Sequence, residues 1–379
     1  MIALRRHLHA NPELSNEEVE TQRHLRRALE AEGLGPVRDV AGTGLAVEIT
    51  GDIPGSNRAL AIRADIDALP IHEETGLPFA SQKPGVMHAC GHDAHAAMAL
   101  AAAAALAKRR NEFSGTVRFI FQPAEEAEPL GGRRVVEEGL LDDVEAAIGI
   151  HVDPYLETGR IAVAAGPFTL ASDIFDIVVT GRSAHAATPQ QGIDALAIAA
   201  AMVGEAQKLI ARETGPFEPA VLSVTGFKAG GAYNIIADRA ELKGTIRSGS
   251  RESRVRLRRR LEEIAKAVAS AHGASAGVTV VEGEPAVINE PEMVKLVSEA
   301  ARNAIAADSV VDLPGWAAAD DFGFYSQKLP AVYFRLGVMQ PEATETYALH
   351  HPKFRIDEAA MPLGAATLAR AALDFLAGR

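Results

Sequence analysis

The densest chemistry in the sequence is MHACGHDAHAAMA, residues 87–99, which gathers His88, Cys90, His92, Asp93 and His95 in one short span. Cys90 and His92 flank Gly91, so a tight turn can present a thiolate and an imidazole to one point. That pair suits zinc, nickel or cobalt and disfavours magnesium or calcium. A helix expected to begin here would lend its positive end to keeping Cys90 deprotonated. The alternative is a structural cysteine beside helix-capping histidines, and the density of the cluster argues against it.

Three further motifs carry acids or imidazoles at expected strand ends, and a fourth offers two histidines before a proline. FQPAEEAEP (121–129) places Glu125 and Glu126 just after a strand. Neighbouring residues point in different directions, so one carboxylate can hold a metal while the other faces a water. Read alone, the run is more readily a solvated acidic loop, since Glu128 continues it. IGIHVDP (148–154) ends an apolar strand on His151, and RADIDALP (63–70) ends one on Asp65 and Asp67. An aspartate so placed can fix the tautomer and aim of a ligand histidine. ALHHPKF (348–354) offers His350 and His351. Ligands in open α/β sheets collect at the carboxyl ends of strands, so these groups converge on one rim.

The elements that must position them follow from apolar periodicity. Helices are expected over 16–32, 92–110 and 131–139, with strands over 43–50, 58–64, 115–121 and 145–151. Such alternation predicts an α/β fold with a mostly parallel mixed sheet flanked by helices. From residue 171 the pattern becomes strand 171–180, helix 192–211, strands 219–227 and 238–247, helix 252–272 and strand 277–282. That β-α-β-β-α-β order predicts a ferredoxin-like α+β unit. The first style resumes with helix 290–307, strand 331–336 and helix 357–377. The expected division is a discontinuous catalytic domain, residues 1–170 and 285–379, around an inserted lid or dimerisation domain, residues 171–284.

Composition narrows the function classes. The chain has 379 residues, a net charge of −12 and 47% hydrophobic residues. An acidic total opposes broad nucleic-acid binding and gives no attraction to anionic membranes. No uninterrupted apolar stretch reads as a membrane span, and the charged start does not read as a signal segment. The single cysteine excludes an internal disulfide, and a cytoplasmic location is expected. The basic run Arg254, Arg256, Arg258, Arg259 and Arg260 reads as the solvated face of an amphipathic helix.

Taken together, these motifs resemble the M20 metallopeptidase family, in its aminoacylase and hippurate hydrolase-like amidohydrolase branch. RRHLHANPELSNEE (5–18), RADIDALP, MHACGHDAH, FQPAEE, HVDP, GRSAHAATPQQGIDAL (181–196), NIIADRAELKGTIR (234–247) and LHHPKF carry the resemblance over nearly the whole chain. It implies a zinc-exopeptidase-like catalytic domain and two divalent ions per subunit, with zinc, manganese, nickel and cobalt all open. By resemblance, Cys90 bridges the two ions, His92 and His151 complete one, and Glu126 and His350 the other. Glu125 becomes general base and acid toward a metal-activated water, and Asp67 orients a ligand histidine. His185 would polarise the scissile carbonyl, while Arg247 and Asn234 grip the substrate carboxylate or complete the site. The family's Glu-Asp-Phe element stands here as Asp320-Asp321-Phe322.

The implied activity is hydrolysis of N-acyl-L-amino acids of acetyl or benzoyl type, with His185 brought to the metals by hinge motion near 165–172 and 283–289 or donated by a partner subunit. A dipeptidase or carboxypeptidase of the same family is the nearest competitor. A thiol hydrolase built on Cys90 and a non-catalytic metal-binding protein are more distant. The expected partner is a small-molecule substrate, and a homodimer or tetramer through the inserted domain stays open because its strands leave an edge.

Overall fold

The computed structural model describes residues 1–340 and 345–378. The chain forms two compact units, one of residues 1–168, 287–315 and 321–379, the other of 169–286 and 316–320.

The larger unit begins with helices α1 (Ile2–Ala10) and α2 (Val19–Ala31) and strands β1 (Arg38–Val40), β2 (Gly44–Thr50) and β3 (Ala59–Asp65). Helix α3 (His92–Ala107), β4 (Thr116–Gln122), α4 (Gly131–Glu137), β5 (Ala146–Glu157), β6 (Ile161–Ala162) and β7 (Gly166–Pro167) follow. The smaller unit runs β8 (Ala171–Thr180), α5 (Ala195–Glu213), β9 (Ala220–Ala229), β10 (Arg239–Ser248), α6 (Arg251–Ala271) and β11 (Ser275–Glu282). The chain then returns through β12 (Ile288–Asn289), α7 (Pro291–Ala304), β13 (Val310–Val311), α8 (Gly323–Lys328), β14 (Ala331–Met339) and α9 (Met361–Leu376).

In the larger unit an eight-stranded sheet has the order β1-β2-β4-β3-β5-β14-β6-β13. Its centre, β4-β3-β5-β14, is parallel, and β1 and β2 add an antiparallel edge. Helix α3 is almost wholly buried because it is almost wholly apolar and packs between α1, α9 and the sheet. Among the described residues one stretch, Glu358–Leu376, is long and apolar enough by length and composition to cross a membrane, and 67% of its apolar window is buried within the protein.

Sequence periodicity missed α1, and the reason is visible. Its inward face carries Arg5 and His9, only 2% and 1% exposed. Both reach Asp93 of α3, at 2.7 and 2.8 Å. A charged network therefore replaces the apolar stripe that periodicity needs.

The smaller unit has the sheet order β11-β8-β10-β9, all antiparallel, with α5 and α6 packed on it. This is a ferredoxin-like arrangement. Residues 316–320, expected in the larger unit, group with the smaller one, where Leu170 donates its N–H to the Ala318 carbonyl. The basic run on α6 is not a uniformly solvated face. Arg254 is buried against Asp173, while Arg256, Arg258, Arg259 and Arg260 pair with Glu218, Glu282, Glu263 and Glu213.

Candidate metal centre

Three neighbouring strands bring the first groups to one level. In register, Asp65 of β3 lies opposite Gln122 of β4, and Arg63 lies opposite Gly149 of β5. Two residues further on β5 is His151. It does not end the strand, as the sequence suggested. The β14 neighbour carries β5 on to Glu157, and His151 sits level with Asp65, where β3 stops. Cys90 and His92 enter on the turn before α3. Gly91 makes that turn at φ +86°, and a Cβ there would lie 2.5 Å from Val152 Cγ2.

These elements create two overlapping triads. The ligand atoms of Cys90, His92 and His151 lie within 4.8 Å of one another, and so do those of Cys90, Glu126 and His350. Cys90 belongs to both. Cys90 Sγ is 3.3 Å from His151 Nε2, and Glu126 Oε1 is 3.2 Å from His350 Nε2. His350 adopts φ +65° and donates its N–H to the Ala89 carbonyl, tying it to the cysteine loop. His351 turns away to stack on Tyr347. Glu125, 9% exposed, offers an oxygen within the same 4.8 Å limit of His92 and Glu126.

The imidazoles are aimed by their far nitrogens. His92 Nδ1 faces the Asp67 carboxylate at 3.0 Å and the Asp67 carbonyl at 3.1 Å. Both are acceptors, so the proton sits on Nδ1. His92 Nε2 is buried with no hydrogen-bond partner and faces the cluster. His151 donates from Nδ1 to the Val152 carbonyl, leaving Nε2 toward Cys90. An orphaned buried imidazole nitrogen, a buried thiol and a carboxylate around one point are a donor set for a transition-metal ion. The residues fit the implied pair of divalent cations.

Electrostatics around the cluster are dominated by acids. Burial opposes charge on His92, but Asp65, Asp67 and Glu126 outweigh it and push its pKa up to about 10. Burial, reinforced by His95, holds His151 well below its ordinary value and so neutral. The Cys90 thiol is pushed well up by burial, then by Glu126, Glu125 and Asp65. This corrects the expectation that the helix end keeps Cys90 deprotonated: with its own protons, the site holds a thiol.

Sequence reasoning missed the support behind the triads. Arg63 is fully buried and reaches Asp65 at 2.5 Å, Asp321 at 2.7 Å and Gln122 at 3.1 Å. Asp65 accepts from His95 Nδ1 at 2.6 Å, and His95 Nε2 accepts the Val152 N–H at 3.0 Å. The dense motif thus splits: Cys90 and His92 face the triads, His95 braces the backbone beside His151, and Asp93 faces α1. Neither ring nitrogen of His88 has a hydrogen-bond partner among the described residues, and nothing in the structure explains its presence.

The remaining expected site residues lie in the smaller unit. His185 is exposed, its Nδ1 accepts from the Ala187 N–H, and its backbone bridges Ile235. Asn234, also exposed, accepts the Ala186 N–H on its carbonyl, so His185 and Asn234 are neighbours. Arg247 is half-buried on β10 between Ser172 of β8 and Val221 of β9.

The model for peptidase family M20/M25/M40 matches residues 61–374. The chain is 40% identical to an N-acetylcysteine deacetylase of Bacillus subtilis, covering 99% of this chain and 97% of that protein. It is 42% identical to an N-acyl-L-amino acid amidohydrolase of Geobacillus stearothermophilus, covering 77% and 78% of the two chains. Among solved structures, the Bacillus subtilis YXEP protein, described as a dinuclear metal binding peptidase from the M20 family, superposes with a TM-score of 0.86 at 38% identity, covering 99% of this chain and 97% of that one. Matched across most of its length in sequence and in fold, the chain belongs to peptidase family M20/M25/M40.

Proposed function

We propose that the protein is a metal-dependent amidohydrolase that cleaves the amide bond of N-acyl-L-amino acids. The observation that carries the reading is Cys90 shared by two ligand triads, with Glu125 beside them. The names of relatives acting on N-acetylcysteine and N-acyl-L-amino acids support the substrate class.

Cys90, His92 and His151 would hold one divalent ion, and Cys90, Glu126 and His350 the other. When bound, such ions supply Lewis acidity toward the carbonyl and the attacking water. Glu125 takes the proton of that water on its carboxylate and returns it to the departing amine, work worth about 10²–10⁴-fold. Asp67 keeps His92 Nε2 free by holding the proton on Nδ1. His185 donates to the carbonyl oxygen as it gains charge. Arg247 takes the substrate carboxylate through two parallel N–H bonds, and Asn234 completes the recognition.

A Cys90 thiol hydrolase is disfavoured by a nucleophile only 7% exposed and held as a thiol. The test is metal analysis of the purified protein combined with a panel of acetyl-, benzoyl- and aminoacyl-amino acids. The reading expects about two transition-metal ions per chain, turnover of acyl-amino acids, and loss on chelation with recovery on metal return. Preferred cleavage of aminoacyl-amino acids would make it a dipeptidase. Activity indifferent to chelators but lost on alkylation would sink the metal reading.

A further inference from the structure

The PELSNEE segment belongs to a quoted motif yet takes no part in the chemistry above. We propose that Ser15 and Glu18 are positioning residues: the segment is a brace that holds the Glu125–Glu126 loop and the Asp67 carboxylate in their working geometry. The proposal rests on the reading of Glu125 as base and Glu126 as ligand.

The segment first docks by its backbone. Leu14 bridges Ala68, and the Ala68 N–H donates to the Glu13 carbonyl at 2.8 Å. This places Ser15 against Asp67. The Ser15 hydroxyl donates to Asp67 Oδ2 at 2.7 Å, and the Glu126 N–H donates to the same oxygen at 3.0 Å. The other Asp67 oxygen faces His92 Nδ1. One aspartate therefore links the segment, the backbone of one expected metal ligand and the ring of another.

Glu18 does the corresponding work one residue before the base. It is fully buried, which a carboxylate tolerates only when its oxygens are engaged. Its Oε1 accepts the Ala124 N–H at 2.8 Å, and its Oε2 accepts the Thr43 hydroxyl. Ala124 has φ +51°, a left-handed conformation that residues with a Cβ rarely adopt. Its carbonyl is held from the other side by the Gly131 N–H at 2.8 Å. A Cβ on Gly131 would lie 1.7 Å from the Pro123 carbonyl oxygen, so the loop closes tightly there. Both polar backbone groups of Ala124 are pinned, and the direction of Glu125 follows from them. Burial leads the causes that raise the Glu18 pKa.

The test uses the full-length, metal-loaded protein and the variants E18A, E18Q, S15A and S15T. In E18A the amide of Ala124 should exchange its hydrogen faster. Turnover of an N-acyl amino acid should fall about tenfold or more at unchanged metal content, with KM within about twofold. E18Q keeps an acceptor for the Ala124 N–H and should restore both readouts. S15A should weaken cobalt(II) affinity, measured against a competing chelator, by about tenfold, and S15T should restore it. E18A with parental exchange and turnover would overturn the brace, as would E18Q as impaired as E18A, or S15A with parental cobalt affinity. Exchange and cobalt affinity are read without reference to the base, so failure of the catalytic reading would show separately, as E125Q turning over at the parental rate.

Discussion

Replacing Arg63 by methionine should destabilise the larger unit sharply, and the structure sets the size. The guanidinium is fully buried between Asp65 and Asp321, and its Nε donates to Gln122. Methionine fills similar space without charge and leaves two buried carboxylates without their cation. Asp321 keeps Gln122 and the Gly132 N–H, and Asp65 keeps His95. Breaking a buried ion pair by removing one partner costs about 3–5 kcal/mol. At about 2 °C per kcal/mol for a large domain, the melting transition should fall by roughly 6–10 °C. The pH dependence supplies a signature. Burial works against ionised Asp65, but Arg63 leads the groups that pull its pKa well below 3.8. A depressed carboxylate contributes stability that is complete above its unfolded pKa and lost as pH falls through the folded one. The parent therefore loses this contribution on acidification, and the gap to Arg63→Met should narrow below about pH 4. Arg63→Lys should lie between, since an ammonium satisfies one carboxylate at a time. Scanning calorimetry from about pH 8 down to about pH 2 measures this. A Tm within about 2 °C of the parent at neutral pH, or a gap that ignores pH, would refute the account.

Glu125→Gln should retain its metal and lose kcat by about 10² or more, since the amide keeps the shape of the base but cannot take a proton; parental turnover at equal metal content would remove Glu125 as base. Metal uptake by stripped protein should release about two protons at pH 7, because His92 and Cys90 are protonated there and His151 is not. Affinity should accordingly tighten as pH rises. Calorimetric titration in buffers of different ionisation enthalpy would show this, and uptake without proton release would contradict the electrostatics described.

What the sequence revealed and what it hid follow one physical division. Cys90-Gly91-His92 was legible because its geometry is local: a left-handed glycine between two ligand types. The strands were legible because the central ones are apolar on both faces and bounded by turn residues. The site's supports were not legible, because each is a polar group buried by a partner distant in sequence. Arg63 meets Asp321, Glu18 meets Ala124, and Arg5 meets Asp93. On paper all three look like surface charges. His350, favoured over His351 by its position in the sequence, gains from the fold a left-handed turn and a bond to Ala89. The misjudged state of Cys90 has the same origin. The helix end is local and visible in sequence, whereas what pushes the thiol up is burial first, then Glu126, Glu125 and Asp65 arriving from two other strand ends.

The same division explains how the centre is specified. Asp65, Gln122 and His151 reach one level through the register of three parallel strands, and side chains alternate faces along each. A one-residue slip of β5 would turn His151 to the opposite face and replace it at that level by Ile150 or Val152. Those two side chains are fully buried in the core cluster that contains α3, so a slip would also drive an imidazole into aliphatic packing. The apolar core thus enforces the register that aims His151, and β5 is held twice more, by Asp65 through His95 and by the Val152 methyl against Gly91. In the proposed metal site, cation binding would add to a register that packing and hydrogen bonds already select. Metal removal should therefore cost affinity-linked stability while leaving the sheet intact.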